Sequence, residues 1–237
     1  MFGYTLGVTL AALPRRDPEA RGALSEAGRR AAPVVPARER VLPVPGALGE
    51  LLPGGAVVRG SVVAVDGTRG AGVTSLALAL AAAATDSGEW AAALDLDATF
   101  GGEAAHEVGV ALERFAVVRP GAAGLPPARW ASVVAALLDG VSLVVTEVPR
   151  YARAVDARRL AARARERGSV LVPVVGPRTP WPAEATLRLH ADGGEWRGLT
   201  AGAGLLTGRV VHVRVEGQGA AARTRLGMLS AGERRTA

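Results

Sequence analysis

The sequence predicts an α/β protein: a mostly parallel sheet flanked by helices, with antiparallel strands added on its C-terminal side. Three observations predict it. Short apolar runs alternate with helical patterns from residue 60 to residue 175, the order that parallel strands and right-handed crossover helices produce. The first of these strands runs directly into a glycine-rich turn that opens a helix. After Pro182 the pattern changes to alternating segments separated by glycines, as antiparallel strands do.

Composition bounds the rest. A chain of 237 residues that is 49% hydrophobic and 4% aromatic can bury one Ala/Val/Leu core. The absence of cysteine excludes disulfides, thiolate zinc sites and thiol catalysis. His106, His190 and His212 stand far apart, so no metal site is expected. The formal charge of +6, carried by arginine without a single lysine, suits contact with nucleic acid or an acidic partner. No run approaches the ~18 apolar residues of a membrane helix. Residues 1–8 lack a basic flank, so they read as a loose terminus rather than a signal peptide, and a cytoplasmic or nucleoid-associated protein is expected.

Residues 1–40 read as an N-terminal extension and linker. Asp17-Pro18 caps a short helix running towards Arg30, and Pro33, Pro36, Pro43 and Pro45 break regular structure. A core over residues 41–216 follows. It starts with a helical turn at 46–52, then strands at 60–66, 90–95, 115–118, 141–147 and 170–175. Helices fall at 74–84, 102–108, 127–139 and 154–167. In the third of these helices Trp130, Val133, Val134, Leu137 and Leu138 form one apolar stripe. Pro173 points to a bulge or a sheet edge. Residues 185–190, 195–199 and 210–216 are the expected antiparallel strands, and residues 217–237 a flexible basic tail.

The strongest motif is Gly67-Thr68-Arg69-Gly70-Ala71-Gly72-Val73-Thr74-Ser75, which fits the phosphate-loop pattern G-x-x-x-x-G-K-[ST] except at the lysine. The cradle glycines Gly67, Gly70 and Gly72 and the hydroxyls of Thr74 and Ser75 survive, while Val73 takes the place of the cation. Losing its charge-assisted hydrogen bonds, ~1.5–3 kcal/mol each, removes several kcal/mol of triphosphate binding. Arg69 starts from the wrong position to replace it. The loop is therefore expected to be a vestigial anion cradle whose glycines now serve strand-to-helix packing. No cofactor is expected, with ATP and Mg²⁺ held only if the degenerate loop still binds.

Asp95 and Asp97 end the second strand, where open α/β sheets place ligand chemistry. They would either orient a water or cap the next turn and pair with arginine. Glu147 stands where a magnesium-binding carboxylate would close the strand, and a register one residue earlier puts Thr146 there. Asp97 and Glu147 are vestigial catalytic candidates, and no active catalytic or metal-binding residue is expected. The arginines at 150, 153, 158, 159, 163, 165 and 167 concentrate the basic charge. Arg150, Arg158, Arg159 and Arg163 are candidates for nucleic-acid or partner contact, against the plainer reading of a solvated helix. Trp181 either packs a proline-rich loop or stacks on a base.

Other stretches carry a resemblance. Leu42-Pro43-Val44-Pro45-Gly46-Ala47-Leu48 leads to Gly54-Gly55 and Arg59-Gly60-Ser61. Val108-Gly109-Val110-Ala111-Leu112-Glu113-Arg114-Phe115 is followed by Val117-Val118-Arg119-Pro120. Arg158-Arg159-Leu160-Ala161-Ala162-Arg163-Ala164-Arg165-Glu166-Arg167-Gly168 completes the set. Together these resemble the RecA/ImuA family, especially the short RecA-like mutasome proteins of actinobacteria, over about residues 42–216. The resemblance implies a RecA-like P-loop core in which the ATPase lysine falls on Val73 and the catalytic glutamate on Asp97. The family's DNA-binding loops fall near residues 149–151 and 176–183 and are much shortened. ATP-driven filament formation and strand exchange are therefore not implied. What is implied is a non-catalytic scaffold in DNA repair, SOS-induced translesion synthesis and mutagenesis. Its partners would be an ImuB-like, Y-family-related subunit and an error-prone polymerase, with RecA and DNA left open as further contacts. The alternatives are a weak atypical ATPase using Arg69, Thr74 and Asp97, and a sequence-independent DNA-binding module.

Overall fold

The computed structural model describes residues 40–121, 124–176, 179–200, 203–217 and 225–231. The helix expected after Asp17 lies outside the described residues, with the rest of the extension up to residue 39.

The described chain enters through β1 (Val41–Pro43) and β2 (Ala56–Val58), an antiparallel ribbon enclosing α1 (Gly46–Leu51) and a 3-10 turn at Pro53–Gly55. The break expected at Pro43 does not occur. Pro43 pairs with Ala56 at the end of the ribbon, a place where a missing N–H is tolerated. Leu42, Leu48 and Leu52 are buried and join the main core.

The central order is β3 (Val63–Gly67), α2 (Val73–Asp86), β4 (Ala91–Leu94), α3 (Gly102–Glu107), β5 (Phe115–Val118), α4 (Pro127–Gly140), β6 (Leu143–Glu147), α5 (Ala154–Arg167) and β7 (Val170–Val175). Then come β8 (Leu187–Thr200), β9 (Ala203–Gly217) and β10 (Arg225–Ala231). These strands form one eight-stranded sheet in the order β10-β9-β8-β3-β7-β6-β4-β5. Pairing is parallel from β8 across to β5 and antiparallel at β8–β9 and β9–β10, so β9 alone runs against the rest. The chain is thus an α/β protein with a mostly parallel sheet.

Strand alternation divides the core. Val63, Val65, Ala91, Ala93, Leu143 and Val145 face the layer that holds Leu76, Leu80 and Ala84 of α2. Ala64, Leu94, Val144 and Leu171 face the opposite layer, with Trp130, Val134 and Leu138 of α4 and Leu160 of α5. The apolar stripe expected on residues 127–139 faces the sheet at Trp130, Val134 and Leu138, which are almost fully buried.

Three strand expectations need correction. Pro173 lies in β7 at the centre of the sheet, between β3 and β6, and the pairings Val62↔Leu171 and Val65↔Val174 keep one register across it, so it marks neither an edge nor a bulge. Residues 187–200 are one strand whose first part is parallel to β3. A register shift between Ala191 and Gly194 lets it continue as the antiparallel partner of β9. Within the expected flexible tail, residues 225–231 pair with β9 as the edge strand β10. Among the described residues no helix is long and apolar enough to cross a membrane.

Candidate functional site

The glycine loop joins β3 to α2 at the C-terminal end of the sheet, as its motif requires. Packing fixes Gly67 and Gly72, while Gly70 faces open space at φ +80°. A Cβ on Gly67 would lie 2.6 Å from the carbonyl oxygen of Ala191 and 2.9 Å from Val73 Cγ2. Gly72 adopts φ +111° as the N-cap of α2, and a Cβ there would lie 2.7 Å from Val211 Cγ2. At Gly67 and Gly72 the turn is wedged between its own helix and the neighbouring strands β8 and β9, and larger residues there would clash with no ligand present. Val73 begins α2 half-buried against the core, while Thr74 and Ser75 are half-buried in the first turn and Arg69 is exposed.

A cation does reach the loop, from a place the motif could not indicate. Arg209 of β9 donates from Nη2 to the carbonyl oxygen of Gly70. Its guanidinium carbon lies 4.8 Å from the centre of the Trp196 ring, its cross-strand partner on β8. This arginine binds a backbone carbonyl of the loop. It latches the loop to the hairpin and does not stand in Val73's position.

The carboxylates beside the loop are also committed. Asp95 is buried at the end of β4 and accepts from the backbone N–H groups of Thr99 (2.7 Å) and Phe100 (3.3 Å) and from Arg119 Nε (2.8 Å). Arg119 also donates to the Phe100 carbonyl at 2.6 Å, so the pair clamps the loop after β4. Glu147 ends β6 and turns its carboxylate into the same loop. Oε2 accepts from the N–H groups of Leu96 (2.5 Å) and Asp97 (2.8 Å), and Oε1 accepts from the Thr99 hydroxyl (2.9 Å). Burial pushes the Glu147 carboxyl above its usual range, and those hydrogen bonds offset part of the rise. The alternative register puts Thr146 at this position. Thr146 is fully buried, accepting from Trp130 Nε1 at 3.1 Å and donating to the Glu147 carbonyl. Asp97 is exposed, contributing its backbone N–H to Glu147.

Next to the loop lies a cleft of about 380 Å³ lined by Asp66, Thr68, Arg188, His190 and Asp192 among others. Its polar groups face one another. Asp66 contacts His190 Nδ1, and Glu216 lies 3.3 Å from His190 Nε2. Arg214 bridges Asp192 and Glu216. Sequence reasoning missed this cluster because its members come from β3, β8 and β9. Among the described residues no group of His, Asp or Glu is placed to hold a metal ion.

The arginine candidates separate into two kinds. Arg163 is bound bidentately by Asp139 at the C-terminal end of α4, at 2.6 Å for both contacts, and Arg167 shares that carboxylate. Arg153 pairs with Asp156. Arg150, Arg158, Arg159 and Arg165 are exposed and engage no carboxylate among the described residues. Trp181 is buried, with Nε1 donating to the Glu184 carbonyl at 3.3 Å, so its ring packs the proline-rich loop and is closed to base stacking.

Residues 50–183 match the family model described as the MT3502 N-terminal domain. The match takes in the glycine loop, both carboxylate clamps and α5, and stops before β8, so the Arg209 latch lies beyond it. No curated protein matches the chain.

Proposed function

The chain belongs to the MT3502 N-terminal domain family, with more than half of its length matched; from its own residues we propose that it is a non-catalytic RecA-like scaffold. It serves SOS-induced translesion synthesis and mutagenesis by binding other proteins in the cytoplasm, with an ImuB-like subunit and an error-prone polymerase as partners.

One observation carries the non-catalytic part. The lysine that a magnesium–triphosphate complex would need is absent and the carboxylate beside the loop is engaged within the protein, although the Thr74 hydroxyl survives. Val73 stands at the lysine, Arg209 holds Gly70, and Glu147 accepts three hydrogen bonds from the loop after β4. A ligand would have to displace those bonds, and leaving one buried acceptor or donor unpaired costs about 1–3 kcal/mol. The eight-stranded order, with β9 alone reversed, is compatible with a RecA-like core. The repair role rests on the resemblance of the entry, 108–120 and 158–168 stretches to the RecA/ImuA family.

The test is damage-induced mutation frequency in the source organism lacking this gene, complemented with variants. Wild type, Thr74→Ala and Asp97→Ala should restore it equally. Restoration by wild type but not by Asp97→Ala would make the protein an enzyme. No defect without the gene would remove the repair role.

A further inference from the structure

At the opposite end of the sheet from the glycine loop, a groove of about 710 Å³ runs between α5 and the segment leading into β8. One wall carries Arg158 and Arg165, seven residues apart on the same helix and so about 10 Å apart along its axis. Ala161 and Ala162 form the floor between them, and the edge of buried Trp181 and the exposed Glu184 form the far side. The groove is held open by rigid parts. Gly60 lets the turn before β3 approach the α5 backbone, where a Cβ would lie 3.0 Å from Arg165 Cα. Thr186 donates its N–H to the Val62 carbonyl at 2.8 Å, fixing the opposite wall.

Charge separates this face from the one turned towards α4. The arginines that face α4 are neutralised by Asp139, whereas Arg158 and Arg165 have no carboxylate partner among the described residues. Unpaired guanidinium groups flanking a small-residue floor suit carboxylates, which they grip bidentately, beside small apolar side chains. Glu184 decides between acidic partners. A carboxylate on the rim repels a continuous phosphate backbone but tolerates a peptide, whose charges are separate and whose remaining side chains are neutral.

The geometry points to a docking groove for an acidic peptide segment of another protein, with two carboxylates set to meet Arg158 and Arg165 across Ala161 and Ala162. This assignment rests on the reading of the chain as a binding protein. Nucleotide turnover with peptide binding retained would remove that reading and leave the groove standing, and loss of the groove would leave the nucleotide result untouched.

The experiment pans the full chain against a displayed library of random peptides of about 12 residues. Recovered peptides are then measured by fluorescence anisotropy, beside a labelled DNA duplex of about 20 base pairs. Recovered peptides should be acidic. Their affinity should fall about tenfold or more in the Arg158→Glu/Arg165→Glu double variant and stay within about twofold in Arg159→Glu. Ala162→Trp, which fills the floor without changing charge, should cause the same loss, and replacing the two peptide carboxylates by lysine should recover binding to the double variant. Recovery of no acidic peptides would overturn the proposal. So would equal affinity for wild type and double variant, or a double variant that loses the duplex and keeps the peptides.

Discussion

The two ends of the sheet use polar residues in opposite ways. At the C-terminal end, where α/β proteins gather ligands, Asp95, Glu147, Arg119 and Arg209 are bound to the protein's own loops. At the N-terminal end Arg158 and Arg165 flank a groove and meet no carboxylate among the described residues. A site that must receive a ligand keeps its hydrogen-bonding groups available. By that criterion these four side chains at the motif-bearing end serve the fold, whereas the arginines at the end without a motif are available to a partner.

That contrast can be broken by substitution, and the largest effect is expected at Asp95. Replacing Asp95 by Ala strips acceptors from two backbone N–H groups and from Arg119, and should cost about 3 kcal/mol in denaturant unfolding. A change below about 1 kcal/mol would mean that the clamp is ornamental. Next is Gly72→Ala, which combines positive φ with a Cβ 2.7 Å from Val211 and should cost about 2 kcal/mol. Val211→Ala in the same chain should recover part of that loss, because the clash is with the valine methyls. Arg209→Ala removes the bond to Gly70 and the stacking on Trp196, and should lower stability by about 1 kcal/mol without creating nucleotide binding.

The smallest effects sharpen the comparison through pH. At the N-terminal end Arg59 donates to Glu89 and holds its carboxyl below the ordinary 4.5. That contribution is complete above the unfolded value and is lost as pH falls through the lower folded one. Glu147 is displaced the other way by burial, from the same ordinary 4.5. Its contribution is complete below that value and is lost as pH rises through the higher folded one. In unfolding measured from pH 3 to pH 7, Glu89→Gln should flatten the acid-side loss and Glu147→Gln the loss above pH 4.5. Identical profiles for the two variants would contradict both assignments.

Features written in contiguous residues were legible in the sequence. The strand–glycine–helix unit, the α4 stripe and the stop of α5 at Gly168 depend on local spacing and local backbone freedom, and they fall where the pattern puts them. Features made by distant pairing were not. Arg209 reaches Gly70 across 139 positions, and no spacing rule marks it. β10 carries Leu226, Met228 and Leu229 between glycine-rich and basic stretches, and it becomes a strand because β9 offers it an edge. The bulge in β8 does leave a signal in Gly193-Gly194, where a Cβ on Gly194 would lie 1.8 Å from the Val210 carbonyl oxygen, but in sequence two glycines are equally the mark of a break between strands. The sequence offered seven arginines on and beside α5 without distinguishing them. The positions of Asp139 and Asp156 divide those that are neutralised from those that are available.

The most direct measurement is calorimetric titration of the full chain with Mg-ATP up to millimolar concentration. No binding heat is expected, because Val73 supplies no cation and Arg209 and Glu147 are already bonded within the protein. Micromolar binding would contradict it, returning the glycine loop to a working nucleotide site.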